Sequence, residues 1–295
     1  MAFSQRLAHA AKLVEARVAV ALGGDSAPVR LAEAMRHAAL GGGKRFRPFL
    51  VLECANLFDV PATAAVHTAA ALECVHCYSL VHDDLPAMDN DDLRRGRPTV
   101  HKAFDEWTAI LAGDGLLTLA FEILASPETH ADPAVRADLV LAVARAAGVA
   151  GMVGGQCLDL EADKLGVPAA PSLAHVERLQ AMKTGALIRF ACKAGAILGR
   201  AAPEQRSALV DFGERLGRAF QMADDLLDAE GDAATLGKAI GKDAGKATLV
   251  SILGVVEAKA RLAALEAEAL AALAPFGPKA DVLREATRFV VERRS

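Results

Sequence analysis

The chain has 295 residues, of which 53% are hydrophobic and 24% charged, so it can bury a large core and disorder is excluded as its main state. Its 33 lysines and arginines against 37 acidic residues give a net charge of −4. That excludes a basic field for nucleic acid, and any anionic ligand must be held by local clusters of cations. Aromatics are only 4%, and much of the apolar content is Ala and Leu, both strong helix formers. No apolar run reaches about 18 residues without a charge or a histidine, which predicts no membrane span. Lys12, Glu15 and Arg17 interrupt the apolar start, so it reads as an amphipathic helix and not a secretion signal. The five cysteines (54, 74, 77, 157 and 192) form no framework spacing, which fits a reducing, cytoplasmic setting.

Apolar residues recur with a period near 3.6. The pattern predicts helices over roughly 3–21, 28–40, 47–58, 62–84, 105–125, 133–151, 153–165, 173–198, 204–228, 247–273 and 279–292. Turn chemistry separates them: Gly23-Gly24, Asp132-Pro133, Gly166 to Pro171, Gly199 to Pro203 and Pro275 to Pro278. No repeat or interdomain linker stands out. The simplest organisation is one all-α domain over 1–295, a bundle of ten or more helices. The stretch 231–248, rich in Gly, Lys and Asp, reads either as a solvated loop or as a lid that touches phosphate.

Two acidic clusters break the apolar pattern. Asp83 and Asp84 end a long apolar helix, Pro86 turns the chain, and Asp89, Asp91 and Asp92 follow. So much negative charge at a helix C-terminus opposes the helix dipole and calls for a cation. Asp224, Asp225 and Asp228 form the second cluster, with Asp224 and Asp228 sharing one face of a mostly apolar helix. Carboxylates are hard donors, and Mg²⁺ takes one or two of them together with water and substrate phosphates. Two such clusters suit metal ions bridging to a polyphosphate.

Cations complete the pattern. Gly41-Gly42-Gly43-Lys44-Arg45-Phe46-Arg47-Pro48 joins three glycines to Lys44 and Arg47, and Arg94, Arg95 and Arg97 follow the first acidic cluster. Lys183, beside Thr184, interrupts an apolar helix, where a lysine needs a partner. His76 lies two helical turns before Asp83 on nearly the same face, about 10 Å away along the axis. Tyr78, about 7.5 Å down the helix from Asp83, is placed to floor a tunnel, although Ser79 lies closer to the Asp83 face. Cys74-Val75-His76-Cys77 has no partner pair for zinc or redox work. The 241–247 stretch misses the phosphate-loop spacing, and no serine-nucleophile motif is present.

At these residues the chain resembles the trans-isoprenyl diphosphate synthases, in particular their bacterial C15-forming branch. DDLPAMDNDDLRRGRP (Asp83 to Pro98) is similar to the family's first aspartate-rich motif, and FQMADDLLD (Phe220 to Asp228) to its second. GGGKRFRP and MKTGALI are similar to its phosphate-binding segments. The resemblance implies an all-α homodimer with a central cavity in each subunit, no membrane or nucleic-acid partner, and prenyl diphosphates as substrates. It implies Mg²⁺, three ions per site, held by Asp83, Asp89 and Asp224 with Asp84, Asp225 and Asp228 in support. Isopentenyl diphosphate would meet Lys44, Arg47, His76 and Arg95. The allylic diphosphate would meet Arg94, Lys183 and Lys238, with Thr184 and Gln221 facing the developing cation. A tyrosine at position 78 goes with a C15 product. A C20-forming synthase is the nearest alternative. A class I terpene cyclase and a non-catalytic synthase subunit are further ones; DDLLD and GGGKRFRP argue against the first, and two intact motifs against the second.

Overall fold

The computed structural model describes residues 3–23, 27–230 and 247–292. In chain order the helices are α1 (Phe3–Ala21), α2 (Val29–Ala39), α3 (Phe46–Asn56), α4 (Ala62–Asp83), α5 (Val100–Ala103), α6 (Glu106–Ala125), α7 (Pro133–Ala147), α8 (Met152–Leu165), α9 (Leu173–Gln180), α10 (Ala186–Leu198), α11 (Pro203–Glu230), α12 (Leu249–Leu253), α13 (Val255–Ala272) and α14 (Asp281–Val291). A hairpin of β1 (Leu93–Arg94) and β2 (Arg97–Pro98) is the only sheet among the described residues, so the fold is all-α.

The chain forms two compact units, Met1–Val143 with Ala194–Ala201, and Ala144–Lys193 with Ala202–Ser295. In the first, α4 is the central helix, packed by α1, α2, α3 and α6. Its sequence is apolar on every side, as a helix surrounded by others must be, and residues from Ala65 to Val81 are buried almost without interruption. Gly113 on α6 leaves the space that the His82 ring fills, and His82 Nε2 lies 3.0 Å from the Ile110 carbonyl. In the second unit α11 is central, packed by α9, α12, α13 and α14.

Three local features depart from the sequence pattern. The predicted helix 173–198 opens into a π turn at Ala181–Gly185. The predicted helix 247–273 breaks at Gly254, whose φ of 78° leaves the helical region. The hairpin and α5 have too few residues to show a period. Lys238 and nearly all of the 231–248 stretch lie outside the described residues.

By length and composition, α6 and the stretch 133–165 are apolar enough to cross a membrane. However, α6 buries Thr108, Ala112, Leu116 and Leu124 among its neighbours. The 133–165 stretch is broken between α7 and α8, of 15 and 14 residues. All five cysteines are unbridged. Burial pushes the Cys74 thiol up to about 12 and lifts Cys77 as well, so neither is a reactive thiolate at neutral pH.

Candidate active site

The first acidic cluster folds as a tight turn on the end of α4. The amide of Asp89 donates to the Asp83 carbonyl at 2.9 Å, and that of Asn90 to the Leu85 carbonyl at 3.1 Å. Asp83 and Asp89, six residues apart in sequence, are thus brought back to one place, both half-buried. Asp84 differs: it is buried and receives Arg94, whose Nε lies 3.0 Å from Oδ1 and whose Nη2 also reaches Asp91 at 3.3 Å. Burial lifts the Asp84 carboxyl above its ordinary value, against the pull of Arg94.

The hairpin turns through Arg95 (φ 55°) and Gly96 (φ 74°), the two positive dihedrals of a type I′ turn. This throws Arg95 over the triple-glycine loop, where it donates to the Gly42 carbonyl. Gly43 has a φ of 123°, which disfavours any side chain, and a Cβ there would displace the Arg95 guanidinium, 2.6 Å away. Lys44 is exposed at the mouth of this loop and Arg47 is half-buried in the first turn of α3. His76 on α4 completes the group. Burial first, and then Arg47 and Arg95, hold its pKa well below the ordinary histidine value, so it is a neutral ring. The four residues predicted for one diphosphate therefore gather around one loop. His37 joins them unpredicted: it bonds the Arg97 guanidinium at 3.1 Å and the Pro98 carbonyl at 2.8 Å.

Tyr78 is buried lower on α4, with its ring edge-on to His82 at 5.8 Å between centroids. Ser79 is spent on its own helix, donating to the His76 carbonyl at 2.8 Å.

In the second unit the π turn carries Lys183 and Thr184. Such a turn inserts one residue into the helical ladder and re-aims the side chains it contains. Two glycines admit it closely. A Cβ on Gly155 of α8 would lie 2.6 Å from Lys183 Cα, and one on Gly217 of α11 would lie 3.0 Å from Gly185 Cα. Lys183 Nζ pairs with Asp159 Oδ2 at 2.7 Å, the partner that its apolar surroundings demand. On α11, Gln221 lines a cleft of about 240 Å³ with Gln180, Arg218 and Met222. Asp224 is half-buried and Asp228 exposed. Asp225 is buried and accepts from Gln180 and from the Leu249 amide, and burial lifts its carboxyl against those bonds.

The comparisons with known proteins bear on these residues. The polyprenyl synthetase family model matches residues 28–272. The chain belongs to the polyprenyl synthetase family. It is 48% identical over 231 residues to farnesyl diphosphate synthase of Escherichia coli K12, covering 77% of this chain and 76% of that one. It is 39% identical over 292 residues to farnesyl diphosphate synthase of Bacillus subtilis, covering 97% of each. The crystal structure of an FPP/GFPP synthase from Zymomonas mobilis superposes with a TM-score of 0.90 at 46% identity, covering 98% of this chain and 99% of that one.

A divalent cation is the cofactor implied for a polyprenyl synthetase, and the residues fit one. Among the described residues no three carboxylate, imidazole or thiol groups converge to hold an ion by themselves. Asp83 and Asp89 instead present oxygens from one hydrogen-bonded turn, and Asp224 and Asp228 from one helix face. One or two hard donors, with the shell completed by water and phosphate, is the Mg²⁺ pattern. Sequence reasoning missed Glu73, Asp159, Gln180 and His37. Each partners a predicted residue or its neighbour, and none carries a motif of its own.

Proposed function

We propose that this polyprenyl synthetase is a Mg²⁺-dependent prenyltransferase. It condenses isopentenyl diphosphate with dimethylallyl and then geranyl diphosphate to give farnesyl diphosphate. The observation that carries the reading is the gathering of Lys44, Arg47, neutral His76 and Arg95 around one glycine loop. This is a diphosphate cradle beside an aspartate turn, in a chain 48% identical to a farnesyl diphosphate synthase.

Lys44, Arg47 and Arg95 bind the oxygens of isopentenyl diphosphate, and His76 donates a ring N–H. Arg94, Lys183 and Lys238 bind the allylic diphosphate. Asp83, Asp89 and Asp224, with Asp228 in support, would hold Mg²⁺, which when bound would supply positive charge for the diphosphate leaving group. As the allylic C–O bond breaks, the Thr184 hydroxyl and the Gln221 amide oxygen face the developing cation. The double bond of isopentenyl diphosphate attacks that carbon, and the departing diphosphate takes the proton. No nucleophilic side chain is required. Tyr78 closes the far end of the prenyl site and sets the length. Trp107, Ile110 and Leu111 expose an apolar ridge on α6 that suits burial against a second copy, in keeping with a homodimer. The unbridged thiols suit the cytoplasm.

Asp83→Ala and Asp224→Ala test the assignment with labelled isopentenyl diphosphate. Each is expected to lose at least about 10²-fold in turnover, the scale of a lost transition-state charge contact. Near-native turnover in both would refute it.

A further inference from the structure

The middle aspartate of the second motif has both of its oxygens engaged by the protein. Asp225 Oδ1 accepts from Gln180 Nε2 at 3.2 Å, and Oδ2 accepts from the same nitrogen at 3.0 Å and from the Leu249 backbone N–H at 2.8 Å. The residue is 9% exposed. Two donor groups, the Gln180 amide shared between both oxygens and the Leu249 N–H on Oδ2, thus occupy both oxygens of the carboxylate. Helix geometry turns Asp225 about 100° away from Asp224, whereas Asp224 and Asp228 stand within about 40° of each other.

The donors come from places that matter. Gln180 ends α9, and the next residue begins the π turn that carries Lys183 and Thr184. Leu249 is the first residue of α12, whose cap is a reciprocal box between Thr248 and Ser251. One carboxylate therefore binds three segments together: the approach to the π turn, the first turn of α12, and the helix that carries Asp224 and Asp228. A metal ion at Oδ2 would compete with both the Gln180 and the Leu249 donor, and one at Oδ1 would crowd the Gln180 amide.

We infer that Asp225 is a positioning residue and not a metal ligand: through Gln180 and Leu249 it fixes the π turn and α12 to the helix of the second aspartate motif. The inference rests on the metal-dependent reading above and assigns the motif's metal work to Asp224 and Asp228.

The test compares Asp225→Asn, Asp225→Ala, Gln180→Leu and Asp224→Asn in the full chain. Asparagine keeps an acceptor for Leu249, and the Gln180 amide can turn to meet its NH₂, but a neutral amide is a poor Mg²⁺ ligand. The first readout is hydrogen exchange of the metal-free protein over 181–185 and 247–253. Asp225→Ala is expected to raise exchange at least tenfold in both segments, and Gln180→Leu in the first. Unchanged exchange in Asp225→Ala would overturn the inference. The second readout is the Mg²⁺ concentration needed for half-saturation by an allylic diphosphate whose carbon-bridging oxygen is sulfur. Asp225→Asn is expected within twofold of wild type and Asp224→Asn shifted at least tenfold. An Asp225→Asn shift equal to that of Asp224→Asn would overturn the inference. Should Asp224→Asn also leave Mg²⁺ dependence unchanged, the metal reading fails, and the exchange readout still decides the role of Asp225.

Discussion

The Arg45 guanidinium meets the Glu73 carboxylate where the two side chains are only 1% and 2% exposed. Arg45 also donates to the Ala39 carbonyl at 2.7 Å and pairs with Glu15 at 3.3 Å. It sits at the N-cap of α3 with a left-handed φ of 49°. Residues 40–44, the glycine loop with Lys44 at its end, are therefore pinned at both ends to buried structure.

Removing Arg45 strands the buried Glu73 carboxylate, and removing Glu73 leaves the buried Arg45 only the part-exposed Glu15 as a counter-charge. Glu73→Leu or Arg45→Met is expected to cost about 3–5 kcal/mol, whereas the double variant recovers most of the loss, since two apolar groups need no partner. Denaturant unfolding of the four proteins measures it. Additive losses in the double variant would show the two side chains acting independently.

His76 sets a pH dependence whose sign is fixed. Its pKa is lowered in the fold, by burial first and then by Arg47 and Arg95, from about 6.5 in the unfolded chain. Below pH ~6.5 the unfolded state binds the extra proton, so stability falls with pH until the folded pKa is reached, and it is flat again beneath that. Denaturant midpoints across this range are expected to show the slope in wild type and a shallower one in His76→Gln. Equal slopes would remove His76 as its source.

The glycines beside the π turn are a packing requirement. Gly155→Ala places a methyl against the Lys183 backbone. It is expected to cost about 1–3 kcal/mol as overpacking and to raise the KM for the allylic diphosphate more than that for isopentenyl diphosphate. Calorimetric unfolding and steady-state kinetics report the two effects, and an unchanged KM would separate the π turn from the allylic site.

Tyr78 is the proposed length gauge. Tyr78→Ala is expected to shift the product from C15 toward C20, measured by chromatography of the dephosphorylated alcohols. An unchanged C15 product would make Tyr78 ordinary core.

Most of the helical frame was legible because Ala- and Leu-rich segments with a strong period leave little choice of element. The candidate residues stand out where charge breaks an apolar run: Asp83, Asp84, Asp224 and Lys183. Local dihedrals and partners do not. The I′ turn at Arg95-Gly96 holds a non-glycine residue at positive φ, and nothing in RRGRP separates that from an exposed basic loop. The π turn is one extra residue in a helix whose composition does not change. Glu73 and Asp159 lie within otherwise helical runs, and only the fold brings cations to them. Asp225 reads in sequence as one more acid of a motif, while its bonds to Gln180 and Leu249 depend on contacts 45 and 24 residues away.

The most direct measurement is to incubate the pure chain with Mg²⁺, labelled isopentenyl diphosphate and, separately, the C5, C10 and C15 allylic diphosphates. The account predicts label in a linear C15 product from the C5 and C10 substrates and little extension of the C15 one. Cyclic hydrocarbon without label, or no incorporation from any of the three, would contradict it.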